Sequence, residues 1–142
     1  RISNLKLAEE VHLSPTAVLE RVKRLTRDAY ILGYEARLNP DKLGAGMMVF
    51  IEVVLDRTTH DAMKTFKAAV QVRPEIMECH LVSGGYDYLL RFLTRGVNHY
   101  QQIIEGLLER NIGIEKYFSY IVIKSPFVKT HSPIEKLFPE LR

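Results

Sequence analysis

SPTAVLERVKRLTRD, residues 14–28, reads as one helix whose start is marked twice. Ser14 suits an N-cap, since its hydroxyl accepts a bond from a free N–H of the first turn. Pro15 suits the first helical position, where no N–H is needed. Val18, Val22, Leu25 and Ala29 fall on one apolar stripe at ~100° per residue. Thr16, Ala17, Glu20, Lys23, Arg24 and Arg27 fall on the opposite arc. Just upstream, Leu5, Ala8 and Val11 give a shorter helix capped by Ser3, and His12-Leu13 makes the link. Two short helices, a tight turn and a second helix with a basic outer face make the layout of a helix-turn-helix. Any helical hairpin shares that outline, and a basic arc is most often a solvated face. The cluster Arg21, Lys23, Arg24 and Arg27, set between Glu20 and Asp28, adds what a phosphate-binding surface needs, because neutralised phosphates release counterions.

Outward from this helix the rhythm changes. Residues 31–38 read as a short strand pair, a ribbon or wing bent at Gly33. Asn39-Pro40-Asp41 signals a turn and Gly44-Ala45-Gly46 loosens the chain, so 39–46 is read as the joint. Met47 to Leu55 is almost continuously apolar and predicts a buried strand. A helix follows, with Thr59 as cap and Ala62, Met63, Phe66 and Val70 at helical spacing, and Pro74 ends it. Ile76 to Ser83 and Tyr86 to Leu93 predict a hairpin turned tightly at Gly84-Gly85. Asn98 is placed to cap a second helix, with Tyr100, Ile103, Ile104, Leu107 and Leu108 on one face; Gly113 stops it, and Glu115 to Lys124 is the last strand.

The order β-α-β-β-α-β is the split βαβ, or ferredoxin-like, plan. The fold class is therefore α+β: a helix-turn-helix domain with its ribbon at 1–38, a linker at 39–46, a ferredoxin-like domain at 47–124 and a tail at 125–142. In that plan both helices cover one face of the sheet. Val49, Phe50, Ile51, Val53 and Val54 cannot all point at them, and so apolar a second face wants a cover. The expected cover is a second copy of the chain. The Pro-rich tail, with Phe127, Ile134, Leu137 and Phe138, is expected to run over a surface rather than form a domain.

Composition narrows the function. The 142 residues carry net charge +3, 46% apolar and 26% charged residues, all ordinary for a globular protein and compatible with nucleic acid. A single cysteine, Cys79, rules out an internal disulfide and fits a reducing, cytoplasmic setting. No apolar run approaches the ~20 residues of a membrane span. Arg1-Ile2-Ser3 opens without an initiator Met at the edge of a helix, so the chain reads as a piece of a longer one.

Catalysis finds little support. His12, His60, His80, His99 and His131 include no i, i+4 pair, and no Cys-x-x-Cys exists to make a metal site. Ser83-Gly84-Gly85 is not a nucleophile elbow, and neither a P-loop nor G-x-G-x-x-G occurs. No enzyme activity and no cofactor are expected. The alternative to a DNA-binding regulator is a small-molecule-sensing regulatory module attached to metabolism, which the ferredoxin-like unit alone would fit.

Several stretches together resemble one family. Ser3-Asn4-Leu5-Lys6-Leu7-Ala8-Glu9-Glu10-Val11, Leu13-Ser14-Pro15-Thr16, Arg21-Val22-Lys23-Arg24-Leu25 and Ile31-Leu32-Gly33-Tyr34 are similar to the DNA-binding half of the Lrp/AsnC transcription regulators. Glu78-Cys79-His80-Leu81-Val82-Ser83-Gly84-Gly85-Tyr86-Asp87-Tyr88-Leu89-Leu90 is similar to the signature hairpin of that family's effector domain. The match covers nearly the whole chain and lies nearest to the leucine-responsive group. One departure stands out: the family's helix-turn-helix has a further first helix before the position of Arg1. Without it the core under Val18, Val22 and Leu25 would be incomplete.

The resemblance implies a transcription regulator that reads palindromic double-stranded DNA as a dimer. Dimers would assemble further into tetramers or octamers, often a ring of four dimers. An amino-acid effector, leucine or methionine, would bind in a cleft between dimers near Gly84-Gly85. For DNA, Ser14, Thr16 and Ala17 sit at the end of the helix that enters the major groove first, with Glu20 and Arg24 further along the same face. Arg24 or Arg21 is suited to pair with guanine or to grip phosphate; Lys23 and Arg27 suit phosphate, and Arg37 reads as a surface charge. For the effector, Ser83, Gly84 and Gly85 offer bare backbone N–H groups to a carboxylate, Asp87 an acceptor for an α-ammonium, and Tyr86 or Tyr88 a wall. The plain reading of the same residues is a hairpin turn, and of His80 a sheet histidine. Ser119, Tyr120, Ile121 and Val122 match the family stretch that lines the same cleft.

Overall fold

The computed structural model describes residues 1–44 and 46–141, and the chain divides into two compact units, Arg1–Asn39 and Pro40–Arg142. In the first, α1 (Asn4–Glu10) and α2 (Pro15–Arg27) form a helix pair. Ser3 Oγ accepts from the Lys6 N–H and Ser14 Oγ from the Ala17 N–H, both at 3.2 Å, so each helix starts on the cap its sequence marks. They also end alike. His12 (φ 55°) and Ala29 (φ 59°) are left-handed, and the next N–H folds back, Leu13 to the Ala8 carbonyl at 3.0 Å and Tyr30 to the Leu25 carbonyl at 2.8 Å. This is the six-to-one bond of a Schellman motif. Ala29 therefore lies past the end of α2 and not on its stripe. Of the remaining stripe, Val18 is buried, Val22 half-buried and Leu25 38% exposed.

The expected ribbon does not form: residues 31–38 carry no strand. Two such short arms gain few ladder bonds, and an isolated two-stranded ribbon is marginal in water. Tyr34 instead lies against the Arg1 guanidinium, 3.9 Å from its ring centroid. In the expected joint, Pro40–Leu43 makes a single helical turn, α3. Ala45, in the middle of the Gly44-Ala45-Gly46 stretch, lies outside the described residues.

The second unit is built on β1 (Met47–Leu55), α4 (His60–Gln71), β2 (Ile76–Leu81), β3 (Tyr88–Thr94), α5 (Val97–Glu109) and β4 (Ile114–Ile121). The sheet order is β2-β3-β1-β4, antiparallel throughout, which is the ferredoxin-like plan. Alternation along β1 decides its two faces. Val49, Ile51, Val53 and Leu55 are buried against Phe66, Ala69 and Val70 of α4 and Tyr100, Ile103, Ile104 and Leu107 of α5. Each fully buried large side chain, such as Phe66, Phe92 or Leu90, contributes about 1.5–3 kcal/mol. Met48, Phe50, Glu52 and Val54 point the other way and are only half-buried. Leu108, expected on the packed face of α5, is 41% exposed, because that face is already filled by Ile104 and Leu107.

Three boundaries differ from expectation for local reasons. The β2–β3 connection is a six-residue loop, 82–87, closed by the Val82 N–H on the Asp87 carbonyl at 3.0 Å, rather than a two-residue turn. Asn98 is inside α5, not its cap. The Tyr100 N–H bonds the Gly96 carbonyl at 3.0 Å, and Gly96 starts the helix without a side-chain bond. β4 stops at Ile121, opposite Val49 of β1, three residues short of the expected Lys124. The tail holds α6 (Ile134–Leu137) and a 3-10 turn at Pro139–Leu141; Arg142 lies outside the described residues.

Candidate functional site

The first candidate surface is the outer arc of α2. Ala8 and Val18 are the buried anchors that fix α1 against α2, and the left-handed His12 sharpens the turn between them. Ser14, Thr16, Glu20, Arg21, Lys23, Arg24 and Arg27 are all exposed, whereas Ala17 is half-buried at the base of the helix. The Ser14 hydroxyl oxygen is engaged in the cap, which leaves its O–H as a donor at the positive end of the helix. Lys23 pairs with Glu20 at 3.8 Å and Arg27 with Asp28 at 2.9 Å, both well exposed. Such pairs are worth less than ~1 kcal/mol and yield readily to a phosphate. Five charged side chains thus line one face of one rigid helix, four of them cationic.

The second candidate surface is the 82–87 loop. Asp87 anchors it to the end of β1: its N–H donates to the Val53 carbonyl at 2.9 Å, and its Oδ2 accepts from the Leu55 N–H at 2.8 Å. Between Val82 and Asp87 the chain bows outward, and Ser83, Gly84 and Gly85 are exposed. A Cβ at either glycine would meet nothing within 4 Å, so the backbone there is bare and open. Gly84, at φ 141°, uses a conformation that other residues rarely adopt.

The remaining residues expected at this site divide by the pleat. Tyr88 faces the helices, buried, with its ring centroid 4.7 Å from that of Phe66. Burial, then Cys79 and Asp87, push its phenol pKa up. Ser119 and Ile121 share that face, opposite Ile51 and Val49, and Ser119 Oγ is hydrogen-bonded to the Tyr100 hydroxyl. Tyr120 lies on the open face, and loss of solvent around it, then the Glu52 charge, raise its pKa. Val122 is just past β4, with its N–H on the Met48 carbonyl at 2.9 Å. Glu52 was missed in the sequence. Its signal was a lone acid in the apolar run VFIEVV. On the same open face His80 and Arg91 both pair with Glu78, at 3.2 and 2.8 Å, and Arg91's bond, then His80's, hold the Glu78 carboxyl below its usual range. Among the described residues no group of three or more His, Cys, Asp or Glu side chains could hold a metal ion, and no helix is long and apolar enough to cross a membrane.

Comparison with known proteins bears on both units. Residues 1–26 match the AsnC-type helix-turn-helix domain and residues 48–131 the Lrp/AsnC ligand binding domain. The leucine-responsive regulatory protein of Salmonella typhimurium is 45% identical over 124 residues, 87% of this chain and 76% of that one. The crystal structure of a Neisseria meningitidis transcriptional regulator in complex with L-methionine superposes with TM-score 0.86 at 31% identity, covering 96% of this chain and 88% of that one. An AsnC family regulator from Agrobacterium tumefaciens superposes with TM-score 0.87 at 25% identity and the same coverage. With a DNA-reading domain matched at the N-terminus, the alternative of a sensing module without one loses its ground. The chain belongs to the Lrp/AsnC family of DNA-binding transcription regulators, with an amino-acid ligand-binding domain behind its helix-turn-helix.

Proposed function

We propose that this chain is a cytoplasmic, leucine- or methionine-responsive regulator that reads palindromic DNA through α2 and senses its effector at the 82–87 loop. The observation that carries this reading is the bare Ser83-Gly84-Gly85 backbone, held out from the sheet by Asp87. The loop N–H groups take the effector carboxylate. Oδ2 of Asp87 is committed to β1, and Oδ1 takes the α-ammonium. A leucine-responsive relative and a methionine-bound one support an apolar side chain in the ligand.

On the DNA side, Thr16, Ala17 and Ser14 meet the groove first; Arg21 and Arg24 reach guanine or phosphate, and Lys23 and Arg27 grip phosphate. Two chains pair through the open sheet face, and dimers associate further into tetramers or octamers. The effector shifts the balance of assemblies only by its difference in affinity between them. Duplex binding measured across a salt series tests the DNA half. Arg24→Ala and Lys23→Ala should weaken binding, and Lys23→Ala should lower the salt slope by about one per chain in contact with phosphate. Binding no tighter to a palindrome than to random duplex, with a flat salt response, would sink this reading.

A further inference from the structure

On the helix-covered side of the sheet, α4 packs on β3 through the Phe66–Tyr88 ring contact and also meets the edge strand β2. A cavity of about 600 Å³ is left between α4 and β2, within the range of small-ligand pockets. Met63, Val70, Ile76, Met77, Leu81 and Tyr88 give it an apolar floor and wall. The bulge in β2 between Ile76 and Glu78 supplies room, and Cys79, small and opposite α4, deepens it.

The charge at its mouth has one sign. Lys64 and Lys67 lie one helical turn apart on the α4 stripe that borders the cavity, with His60 a turn earlier. Among the described residues neither lysine makes an ion pair. The Glu78 side chain, on the opposite face of β2, is held there by Arg91 and His80. Lys67 and Cys79 both line the cavity, from α4 and β2 respectively. An apolar chamber with two unneutralised ammonium groups and no acceptor reserved for a second ammonium suits an anion with a hydrocarbon body.

We propose that the α4–β2 cavity is a second ligand site, for a medium-chain aliphatic carboxylate without an amino group, with Lys64 and Lys67 at the acid end. This site is separate from the amino-acid site at the 82–87 loop and does not depend on it.

The four methionines provide the test: Met63 and Met77 line the cavity, and Met47 and Met48 on β1 do not. Methyl-labelled protein is titrated with octanoate, octylammonium and leucine. Octanoate should shift the Met63 and Met77 methyls saturably and leave Met47 and Met48 in place. Octylammonium and leucine should not move Met63 or Met77. Lys64→Glu with Lys67→Glu, two exposed positions, should weaken octanoate binding about tenfold or more. No shift at millimolar octanoate overturns the proposal. So do equal shifts with octylammonium or leucine, or shifts that follow protein concentration alone, which would put a second copy of the chain in the groove.

Discussion

Ala29 occupies the position after a helix where glycine is usual. Its φ of 59° crowds Cβ against the following carbonyl, a cost of about 1–2 kcal/mol, partly offset because glycine loses more chain entropy on folding. Ala29→Gly should therefore stabilise the helix pair by about 0.5–1 kcal/mol, read as a rise in its thermal midpoint. Gly113 is the converse. At φ 86° a Cβ would also come 3.1 Å from Asp56 Oδ1, so Gly113→Ala should cost about 1–2 kcal/mol or more. These positions mark the grain of what the sequence disclosed. Ser3, Ser14 and Thr59 are caps because a hydroxyl sits beside a helical period, and all three make the expected bond. Ala29 continued the apolar period of α2 and carried no mark that the backbone turns left-handed there. Asn98 had the right chemistry for a cap, but Gly96 took the position and left it two residues too late.

At the scale of elements, Asp87 joins the effector loop to β1. Asp87→Ala leaves the Leu55 N–H without its acceptor and should destabilise the ligand-binding unit by about 1–3 kcal/mol. Asp87→Asn keeps an accepting oxygen and should recover most of that stability while losing effector response, since the charge is gone; chemical unfolding and effector titration separate the two. The Glu78 pair gives a pH signature. Its carboxyl is held below the usual range, so its contribution is present above the unfolded pKa and lost as pH falls through the folded one. Glu78→Gln should cost less than ~1 kcal/mol near pH 7, given its 43% exposed side chain, and progressively less as pH falls through the lowered folded pKa. Strand and helix periods showed in the sequence because the core enforces them. The site was less legible. Gly84-Gly85 reads the same whether it closes a two-residue turn or opens a six-residue loop, and the pleat that sends Ser119 one way and Tyr120 the other depends on register. The ribbon at 31–38 had strand composition, but its two arms are too short to hold a ladder.

For the whole molecule, the open sheet face is the large apolar surface that one chain leaves uncovered. Phe118 and Tyr120 stand there half exposed beside Phe50 and Val54. Phe118→Glu should leave the fold intact, because the ring is outside the core, and should convert dimers or larger assemblies to monomers in a sedimentation measurement. An unchanged mass would place the interface elsewhere. That the second face is apolar was legible from β1 alone, since consecutive apolar residues cannot share one side of a strand. What covers it is a matter of partners, which a single chain does not encode in its own pattern.

The central claim is that an amino acid at the 82–87 loop sets the DNA affinity of α2. Gly85→Asp tests it most directly, because a side chain there meets nothing within 4 Å and its φ is ordinary, so the fold tolerates it while the new charge repels a carboxylate. Affinity for a palindromic duplex is measured at fixed salt for both proteins, alone and with methionine or leucine. Equal affinity without effector, a shift of about fivefold or more in the unsubstituted protein and none in the variant is the predicted result. A variant that responds as the parent does, or a parent that responds to neither amino acid, would contradict it.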